Sequence, residues 1–515
     1  MAYLYFFLLS IVSVFSYDLG MTDTHILPKW LYTVGVLALI LGGCGVCLLI
    51  HRKKRNINEW GLFVIIVLLC LSQALYAITQ SLDLFTSRFL YRVVGSFDNP
   101  AGLAACLCVG IPCCIYLYRN SKPFIRWFSV VAAILIGIAL VLSGSRAGII
   151  SGMLLPSVYL LFHSRRKVWI KVLFTAVTAV MLVGLYFMKK DSADGRMLML
   201  RCGWEMIKER PLLGHGSNAV VAHYMDYQAA WLEQHLNSSL APLADNVKHV
   251  FNEYLSIGIC YGILGLIVLF LLICFLVYCY KKAPSEEGTC ALLSLSAIGM
   301  LACFSYPFTY PFTWIISVMS VWILVSKAYP LIIGYNKFRY LFASILLMVS
   351  IGLFFKVYNR IKAELQWGEV ARIIPIENDS ETFGRYEQLM TTLADEPYFL
   401  YNYAAELYLK GEYETALLIA QRCRLFWADY DLELLLGELQ MQIGRYDEAK
   451  KHYRKAANMC PSRFIPLYRL FKMYQHIGDK ENMENVRRII LDKPIKVDSD
   501  TIRRIIEDLN QYVES

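Results

Sequence analysis

The chain has 515 residues, of which 57% are hydrophobic and 18% are charged, whereas soluble globular domains average about a quarter charged. Its formal net charge of +9 comes from short basic clusters that separate long apolar runs. This distribution indicates the topology signals of a membrane protein and argues against a nucleic-acid-binding surface. Most of the 15 cysteines lie inside apolar runs as packing residues, and the spacing of cysteine and histidine predicts no metal site.

About eleven apolar runs are long enough to predict transmembrane helices, because about 20 apolar residues cross the hydrocarbon core of a bilayer. In chain order they cover residues 2–17, 30–50, 60–79, 100–118, 127–143, 147–162, 168–188, 254–280, 289–306, 309–326 and 338–357. The first run is short and follows no basic residue, so it is predicted to be either a signal peptide or a signal anchor.

Basic clusters set the orientation of these helices. They follow the second, fourth, sixth and eighth runs and surround the turn after the tenth, as at Arg52–Arg55 and Arg165–Lys167. The positive-inside rule therefore predicts that these loops face the cytoplasm. The long loop at 189–253, the YPFTYP stretch at Tyr306–Pro311 and the tail after Tyr358 are then predicted to be external.

The tail differs from the rest of the chain in its higher charge density and its internal repetition. GEYETA at Gly411–Ala416, GRYDEA at Gly444–Ala449 and GDKENM at Gly478–Met483 recur at steps of 33 and 34 residues. This period is typical of tetratricopeptide repeats, in which helix pairs stack into an α-solenoid. The repeats either bind a protein segment on their concave surface or serve a purely structural purpose.

The predicted fold is therefore all-α, a polytopic membrane helix bundle with a C-terminal α-solenoid. The transmembrane domain covers residues 1–357 and includes the large external loop. A linker at 358–395 leads to the repeats at 396–492, and a C-terminal helix at 493–515 ends the chain.

Two external turns carry polar residues at the ends of predicted spans. In GSFDNP, Asp98 or Asn99 is predicted to cap a helix that begins with Pro100. In SGSRAG, at Ser143–Gly148, small residues on both sides of Arg146 let helix backbones approach closely. An arginine at membrane depth is costly and usually functional, which favours a functional Arg146 over one that snorkels to the interface.

The large loop contains DGRMLMLRCGWEMIKERPLLGHG, at Asp194–Gly216. It predicts a short helix beside the membrane, with an apolar face formed by Met197, Leu200, Trp204 and Ile207. Arg196 stands at the predicted start of this helix, where a guanidinium and free amides would bind a diphosphate. Arg201 is interpreted as an ordinary solvated charge.

The loop ends in DNVKHVFNEYL, at Asp245–Leu255, which enters the eighth apolar run. His249, Asn252 and Glu253 lie at offsets of three and four residues, so they can share one helical face. Imidazole titrates near neutrality, so His249 is predicted to take a proton from an acceptor hydroxyl. Asn252 and Glu253 would orient it.

Residues 60–330 resemble the O-antigen ligase superfamily of integral-membrane glycosyltransferases, which includes Wzy-type polymerases and bacterial protein O-oligosaccharyltransferases. The resemblance rests on FDNP, SGSRAG, the GR…W…PLLGHG loop, and HVFNEYL before an apolar helix with GILG at Gly262–Gly265. Many members have adjacent His and Asn at the last motif, whereas Val250 and Phe251 separate His249 from Asn252 here.

The resemblance implies glycan transfer at the periplasmic face of a bacterial inner membrane, by a metal-independent inverting enzyme without a cofactor. The donor would be an oligosaccharide on undecaprenyl diphosphate. Arg146 and Arg196 would hold the diphosphate, with His249 as general base and Asn252, Glu253 and Arg201 in support.

The acceptor stays open between lipid A–core and a serine or threonine of a periplasmic protein, and an external repeat domain that binds a protein partner favours the latter. A polysaccharide polymerase is the third alternative. A transporter or flippase would place ionisable residues at the bilayer midplane, and the predicted spans contain few of them. A non-catalytic scaffold gives no reason for Arg146, Arg196 and His249 to share one membrane face.

Overall fold

The fold was analysed in a computed structural model. The structure describes residues 2–50, 58–85, 91–163, 176, 190–235, 238–330, 339–373 and 380–514. Within these ranges the regular structure is helical and includes no β-strand. The chain forms two compact units. The first, here called the membrane unit, comprises Met1–Met188, Phe251–Glu253 and Val268–Glu369. The second, the loop–repeat unit, comprises Lys189–Val250, Tyr254–Ile267 and Val370–Ser515.

Helices α1 to α12 account for the first three quarters of the chain. They are α1 (Ala2–Phe15), α2 (Ile26–Ile50), α3 (Glu59–Ser81), α4 (Pro100–Asn120), α5 (Pro123–Leu142), α6 (Arg146–His163), α7 (Lys190–Glu209), α8 (Ala219–Gln234), α9 (Glu253–Lys282), α10 (Glu286–Ala302), α11 (Pro311–Ala328) and α12 (Arg339–Ile373). The tail adds α13 (Ser380–Leu393), α14 (Pro397–Lys410), α15 (Tyr413–Arg424), α16 (Tyr430–Gln442), α17 (Tyr446–Met459), α18 (Ile465–Ile477), α19 (Lys480–Leu491) and α20 (Asp500–Glu514).

Among the described residues, 7 helices are long and apolar enough to cross a membrane: α2, α3, α4, α5, α9, α11 and most of α12. This confirms a polytopic helical membrane protein. The prediction of about eleven spans stays a prediction. The first run forms the shorter apolar helix α1, and the runs 147–162 and 289–306 coincide with α6 and α10. The run 168–188 lies almost entirely outside the described residues.

Small residues bring the helices of the membrane unit close together. A Cβ atom added at Gly148 would lie 2.6 Å from the Cβ of Ala104. The backbone of α6 therefore lies close to α4, as the small residues of SGSRAG predict. A Cβ atom at Gly102 would likewise lie 2.6 Å from the ring of Tyr310. The core of this unit is formed by buried aliphatic, aromatic and cysteine side chains of these helices.

Two sets of polar contacts in the membrane unit join helix ends. Lys327, at the end of α11, lies 3.3 Å from Glu59 and 3.6 Å from Glu287, which begin α3 and α10. At other ends, the indole of Trp30 in α2 donates to the carbonyl of Thr309, just before α11. These two sets of ends are those that the alternation of basic loops assigns to opposite faces.

The tail consists largely of helix pairs, α14 with α15, α16 with α17, and α18 with α19. A glycine in the left-handed conformation turns the chain within each pair: Gly411 (φ 87°), Gly444 (φ 81°) and Gly478 (φ 75°). This requirement explains why glycine opens each of the three repeated hexapeptides. That the pairs form a tetratricopeptide-type solenoid stays a prediction. The segment predicted as a linker contains the end of α12 and all of α13.

Candidate functional site

The large loop and part of the repeats share one hydrophobic core in the loop–repeat unit. Tyr224 and Leu232 of α8 are fully buried, and they belong to the same cluster as Tyr430, Ala456 and Met459 of the repeat helices. Burial of aromatic and long aliphatic side chains contributes about 1.5–3 kcal/mol each. The loop is therefore part of a folded body and not a free connection between spans.

A buried carboxylate ties α8 to three repeat helices. The side chain of Glu433, 1% exposed, accepts from Arg424 at 2.8 Å and from His452 at 2.6 Å, and Lys455 lies 3.2 Å away. Arg424 and Lys455 also pair with Asp226 of α8. Burial alone would raise the pKa of Glu433, but the His452 hydrogen bond and the charges of Lys455 and Arg424 lower it to about 2.

The segment that immediately precedes His249 is attached to the repeats by polar side chains. The Asn246 amide donates to Asp429 at 2.6 Å, and the Arg463 guanidinium donates to the Asp245 carboxylate at 2.8 Å. Directly before His249, the Lys248 ammonium lies 4.8 Å from the ring centre of Tyr398.

Gln228 of α8 completes this attachment. Its amide donates to the Asp245 carbonyl at 3.0 Å and to the Met459 carbonyl at 2.8 Å, so one side chain links the loop segment to α17. His249 is half-buried, and Val250 after it is buried in the core of the unit. The imidazole is therefore presented by a backbone that is fixed on its N-terminal side.

The backbone is strained directly after this segment. Phe251 has φ 50°, a left-handed conformation that is rare for a bulky residue and that occurs preferentially at functional sites. In the membrane unit its ring lies edge-on to Tyr306, with 5.2 Å between ring centres. Phe251 is one of the two residues that separate His249 from Asn252. Because α9 begins at Glu253, His249 and Asn252 precede the helix, and the prediction that they share one helical face with Glu253 is wrong.

The YPFTYP stretch joins two of the sequence motifs within the membrane unit. The Tyr310 hydroxyl donates to Asp98 at 2.8 Å, and the Asn99 amide donates to the hydroxyls of Tyr306 and Tyr310 at 3.0 Å each. Burial and the charge of Asp98 raise the pKa of Tyr306 to about 12, so its hydroxyl stays protonated. The backbone amide of Phe308 in the same stretch donates to Glu253 at 3.2 Å.

Asn99, and not Asp98, caps α4. Its side-chain oxygen accepts from the amides of Ala101 and Gly102 at 2.8 and 3.1 Å, and Pro100 is the first residue of the helix. The predicted start of α4 is thus confirmed. Asp98 is left to bind Tyr310. Sequence reasoning missed Tyr306 and Tyr310, although two Tyr–Pro pairs four residues apart are a visible signal of a fixed turn.

The PLLGHG turn and the GILG motif are bonded to each other within the loop–repeat unit. The helical path of α9 is broken at Gly262, which has φ 63° and ψ −161°. At the break, the amides of Ile263 and Leu264 donate to the carbonyls of Pro211 and Leu212 at 2.8 and 3.3 Å. On the other side, the amides of His215 and Gly216 donate to the carbonyls of Ile259 and Cys260, each at 2.9 Å.

The arginines of the loop differ from their predicted setting in one respect. Arg196 is half-buried, but α7 begins at Lys190, so Arg196 lies in the second turn and not at the helix start with its free amides. That part of the prediction is wrong. Arg201 is exposed and lies 5.8 Å from the ring of Trp231. In the membrane unit, Arg146 is half-buried and is the first residue of α6.

The apolar face predicted for α7 is divided. Met197, Leu200 and Trp204 are exposed, as a face beside a membrane would be, whereas Ile207 is buried in the unit. The opposite face packs into the core through Leu198 and Cys202. A cleft of about 420 Å³ lies at the C-terminal end of α7, and its lining includes Glu209, Arg210, His215, His223, Asp226 and Tyr227. Such carboxylates, imidazoles and hydroxyls can hydrogen-bond the hydroxyls of a sugar.

The predicted site residues thus fall in both units. Arg146, Asn252 and Glu253 belong to the membrane unit, and Arg196, Arg201 and His249 belong to the loop–repeat unit. Residues 130–270 of the chain match the O-antigen ligase family. The matched range contains SGSRAG, PLLGHG, HVFNEYL and GILG, while GSFDNP and the repeats lie outside it. No curated protein matches the chain.

Proposed function

We propose that the protein is an integral-membrane glycosyltransferase that moves an oligosaccharide from a polyprenyl-diphosphate carrier, undecaprenyl diphosphate, to an acceptor hydroxyl at the periplasmic face. The match of residues 130–270 to O-antigen ligases supports this reaction class. The observation that carries the proposal is the attachment of the segment before His249. Asn246, Asp245 and Gln228 fix the backbone that leads to the half-buried His249, two residues before the strained Phe251, as the positioning of a catalytic group requires.

In the proposed step, His249 accepts the proton of the acceptor hydroxyl while the hydroxyl oxygen attacks the anomeric carbon of the donor. The bond from that carbon to the diphosphate oxygen breaks, and the polyprenyl diphosphate leaves with the bonding electrons. Arg146 and Arg196 bind the diphosphate through paired N–H groups and stabilise its growing negative charge. Asn252, Glu253 and Arg201 support the site, with the Glu253 carboxylate fixed by the Phe308 amide.

The repeats have a structural role in this proposal. Arg463, Asp429 and Tyr398 contact three of the four residues before His249, so the repeats hold the catalytic segment in place. An acceptor protein would have to bind on repeat surfaces that the loop leaves uncovered. Lipid A–core and a periplasmic protein therefore both stay candidate acceptors, and a polymerase that extends a lipid-linked glycan is the third.

The central test replaces His249 with alanine and measures transfer from a lipid-linked donor in isolated membranes. General-base catalysis contributes about 10²–10⁴-fold, so His249→Ala is expected to lose at least that factor while the protein accumulates normally. His235→Ala, an exposed histidine of the same loop, is the matched control and keeps its activity. Near-normal transfer by His249→Ala removes the general-base role.

The acceptor is identified by deleting the gene and comparing lipopolysaccharide ladders with periplasmic glycoproteins. Loss of the ladder with intact glycoproteins indicates a lipid A–core ligase, and the reverse indicates a protein transferase. Shortened glycans on the usual acceptors indicate a polymerase. An unchanged pattern of all three products contradicts the proposed function.

A further inference from the structure

The turn Pro211–Gly214 is apolar and exposed, although it belongs to a loop predicted to lie in water. Leu212 and Leu213 are 63% and 74% exposed, and the turn contains no polar side chain. Ile263 and Leu264, to which the turn is bonded, are 44% and 47% exposed. The backbone hydrogen bonds make these four side chains one continuous apolar surface within the loop–repeat unit. Singly exposed leucines are common, but a contiguous patch indicates an interaction surface.

The length of α9 places this surface at the edge of the hydrocarbon layer. The helix has 30 residues, and Lys281 and Lys282 mark the end that faces the headgroups. About 20 helical residues cross the hydrocarbon, and counting that number back from Lys282 reaches Gly262, where the helical path breaks. The residues of α9 before Gly262 are therefore not needed to cross the hydrocarbon layer.

The break frees backbone polar groups that the loop segment 211–216 hydrogen-bonds. An interrupted helix frees amides and carbonyls, which are costly in hydrocarbon unless protein groups satisfy them. The turn supplies four such bonds, two on each side of Gly262. Glycine is required here because a Cβ atom at Gly262 would lie 2.4 Å from the backbone of Leu212, and one at Gly214 would lie 2.5 Å from that of Cys260.

We propose that Pro211–Gly214 is a re-entrant turn that inserts Leu212 and Leu213 among the acyl chains of the leaflet opposite Lys281 and Lys282. It docks the loop–repeat unit on the bilayer at the break in α9. The exposed apolar face of α7, with Met197, Leu200 and Trp204, is a second surface of the same unit for the same membrane. The occupant is bilayer lipid, and neither a partner protein nor a second copy is required.

The proposal is tested by thiol accessibility in intact membranes. Leu213→Cys is compared with Ser217→Cys, an exposed position four residues along the loop, in a full-length chain whose exposed native Cys274 and Cys303 are replaced by serine. The parent without an added cysteine gives the background. A thiol in apolar surroundings ionises less, and each unit of raised pKa lowers the reactive thiolate about tenfold.

Leu213→Cys is therefore expected to react with a charged maleimide about tenfold more slowly than Ser217→Cys. Its ratio of apolar-maleimide rate to charged-maleimide rate is expected to exceed that of Ser217→Cys, because an apolar maleimide partitions into hydrocarbon and a charged one does not. Equal rates with the charged reagent would show that the turn lies in water and overturn the proposal. Protection from both reagents would show that protein covers it, which also overturns the proposal. Leu212→Cys repeats the comparison if the first variant fails to accumulate.

Discussion

The membrane unit and the loop–repeat unit are stabilised by different interactions. In the membrane unit, apolar and small side chains pack tightly, and polar contacts join helix ends at Asn99 and Lys327. In the loop–repeat unit, a charged network around the buried Glu433 joins the loop to the repeats. The stability contributed by apolar packing depends little on pH, whereas the stability contributed by a buried ionic network depends strongly on pH.

This difference bears on the candidate site. Contacts within the loop–repeat unit hold the segment before His249. Arg146 and the cluster of Asp98, Tyr306 and Tyr310 lie in the membrane unit. Perturbing the charged network should therefore affect His249 and leave the membrane helices intact. Hydrogen exchange measured by mass spectrometry can separate the two responses, because it reports local stability segment by segment.

The largest effect is expected from Glu433→Ala. Removing Glu433 leaves Arg424 and Lys455 to share the Asp226 carboxylate, and breaking a buried ionic network costs about 3–5 kcal/mol. Exchange should rise across α8 and the repeats. Glu448→Ala, which removes an exposed pair with Lys451, is the control and should leave exchange unchanged. Equal acceleration in α3 and α4 would contradict the separation between the units.

Lowering the pH should destabilise the loop–repeat unit in the same way as Glu433→Ala. The pKa of Glu433 lies at about 2, below its usual value of 4.5, so the folded state binds the proton less tightly than the unfolded chain. The stabilisation is fully present above about pH 4.5 and is lost as the pH falls towards 2; it amounts to roughly 3 kcal/mol. Protection factors, which correct for the pH dependence of intrinsic exchange, should fall more in α8 and α16 than in α4 over that window. An equal fall in α4 would remove the contrast.

Two glycines with left-handed backbones allow a matched comparison. Gly262 (φ 63°) belongs to the loop–repeat unit, and Gly144 (φ 64°) belongs to the membrane unit. Alanine at Gly144 meets no atom within 4 Å and costs only the strain, about 1–2 kcal/mol. Alanine at Gly262 adds a clash with the Leu212 backbone, about 1–3 kcal/mol more. Gly262→Ala should therefore expose the 211–216 turn to exchange, and Gly144→Ala should have the smaller local effect.

Local sequence signals predicted local structure well. Asn99 followed by Pro100 marks the start of α4, and the recurring glycine predicts the turn within each helix pair. The predicted start of α7 was wrong because Asp194–Gly195 resembles a helix boundary. The helix continues through Gly195, since burial of Leu198 and Cys202 on one face outweighs the roughly 1 kcal/mol by which glycine disfavours a helix.

The contacts that fix the candidate site could not be predicted from the sequence. Asn246 and Asp429 are 183 positions apart, and Asp245 and Arg463 are 218 apart. No periodicity or motif connects such positions, because only the packing of the loop against the repeats brings them together. The sequence left open whether the repeats bind a protein segment or are structural, and their contacts with the loop favour a role in positioning His249.

Asn246→Ala tests that positioning role with the smallest change. It removes one hydrogen bond to the buried Asp429 and costs about 1–3 kcal/mol locally, too little to unfold the unit. If the bond positions His249, transfer should show a lower kcat with an unchanged KM for the lipid-linked donor, and Asn246→Gln should recover part of it. Ser238→Ala, elsewhere in the loop, is the control. A purely structural bond would instead lower the amount of active enzyme and leave kcat per folded molecule constant, so kcat normalised to folded protein decides whether the repeats act on the chemistry or only on stability.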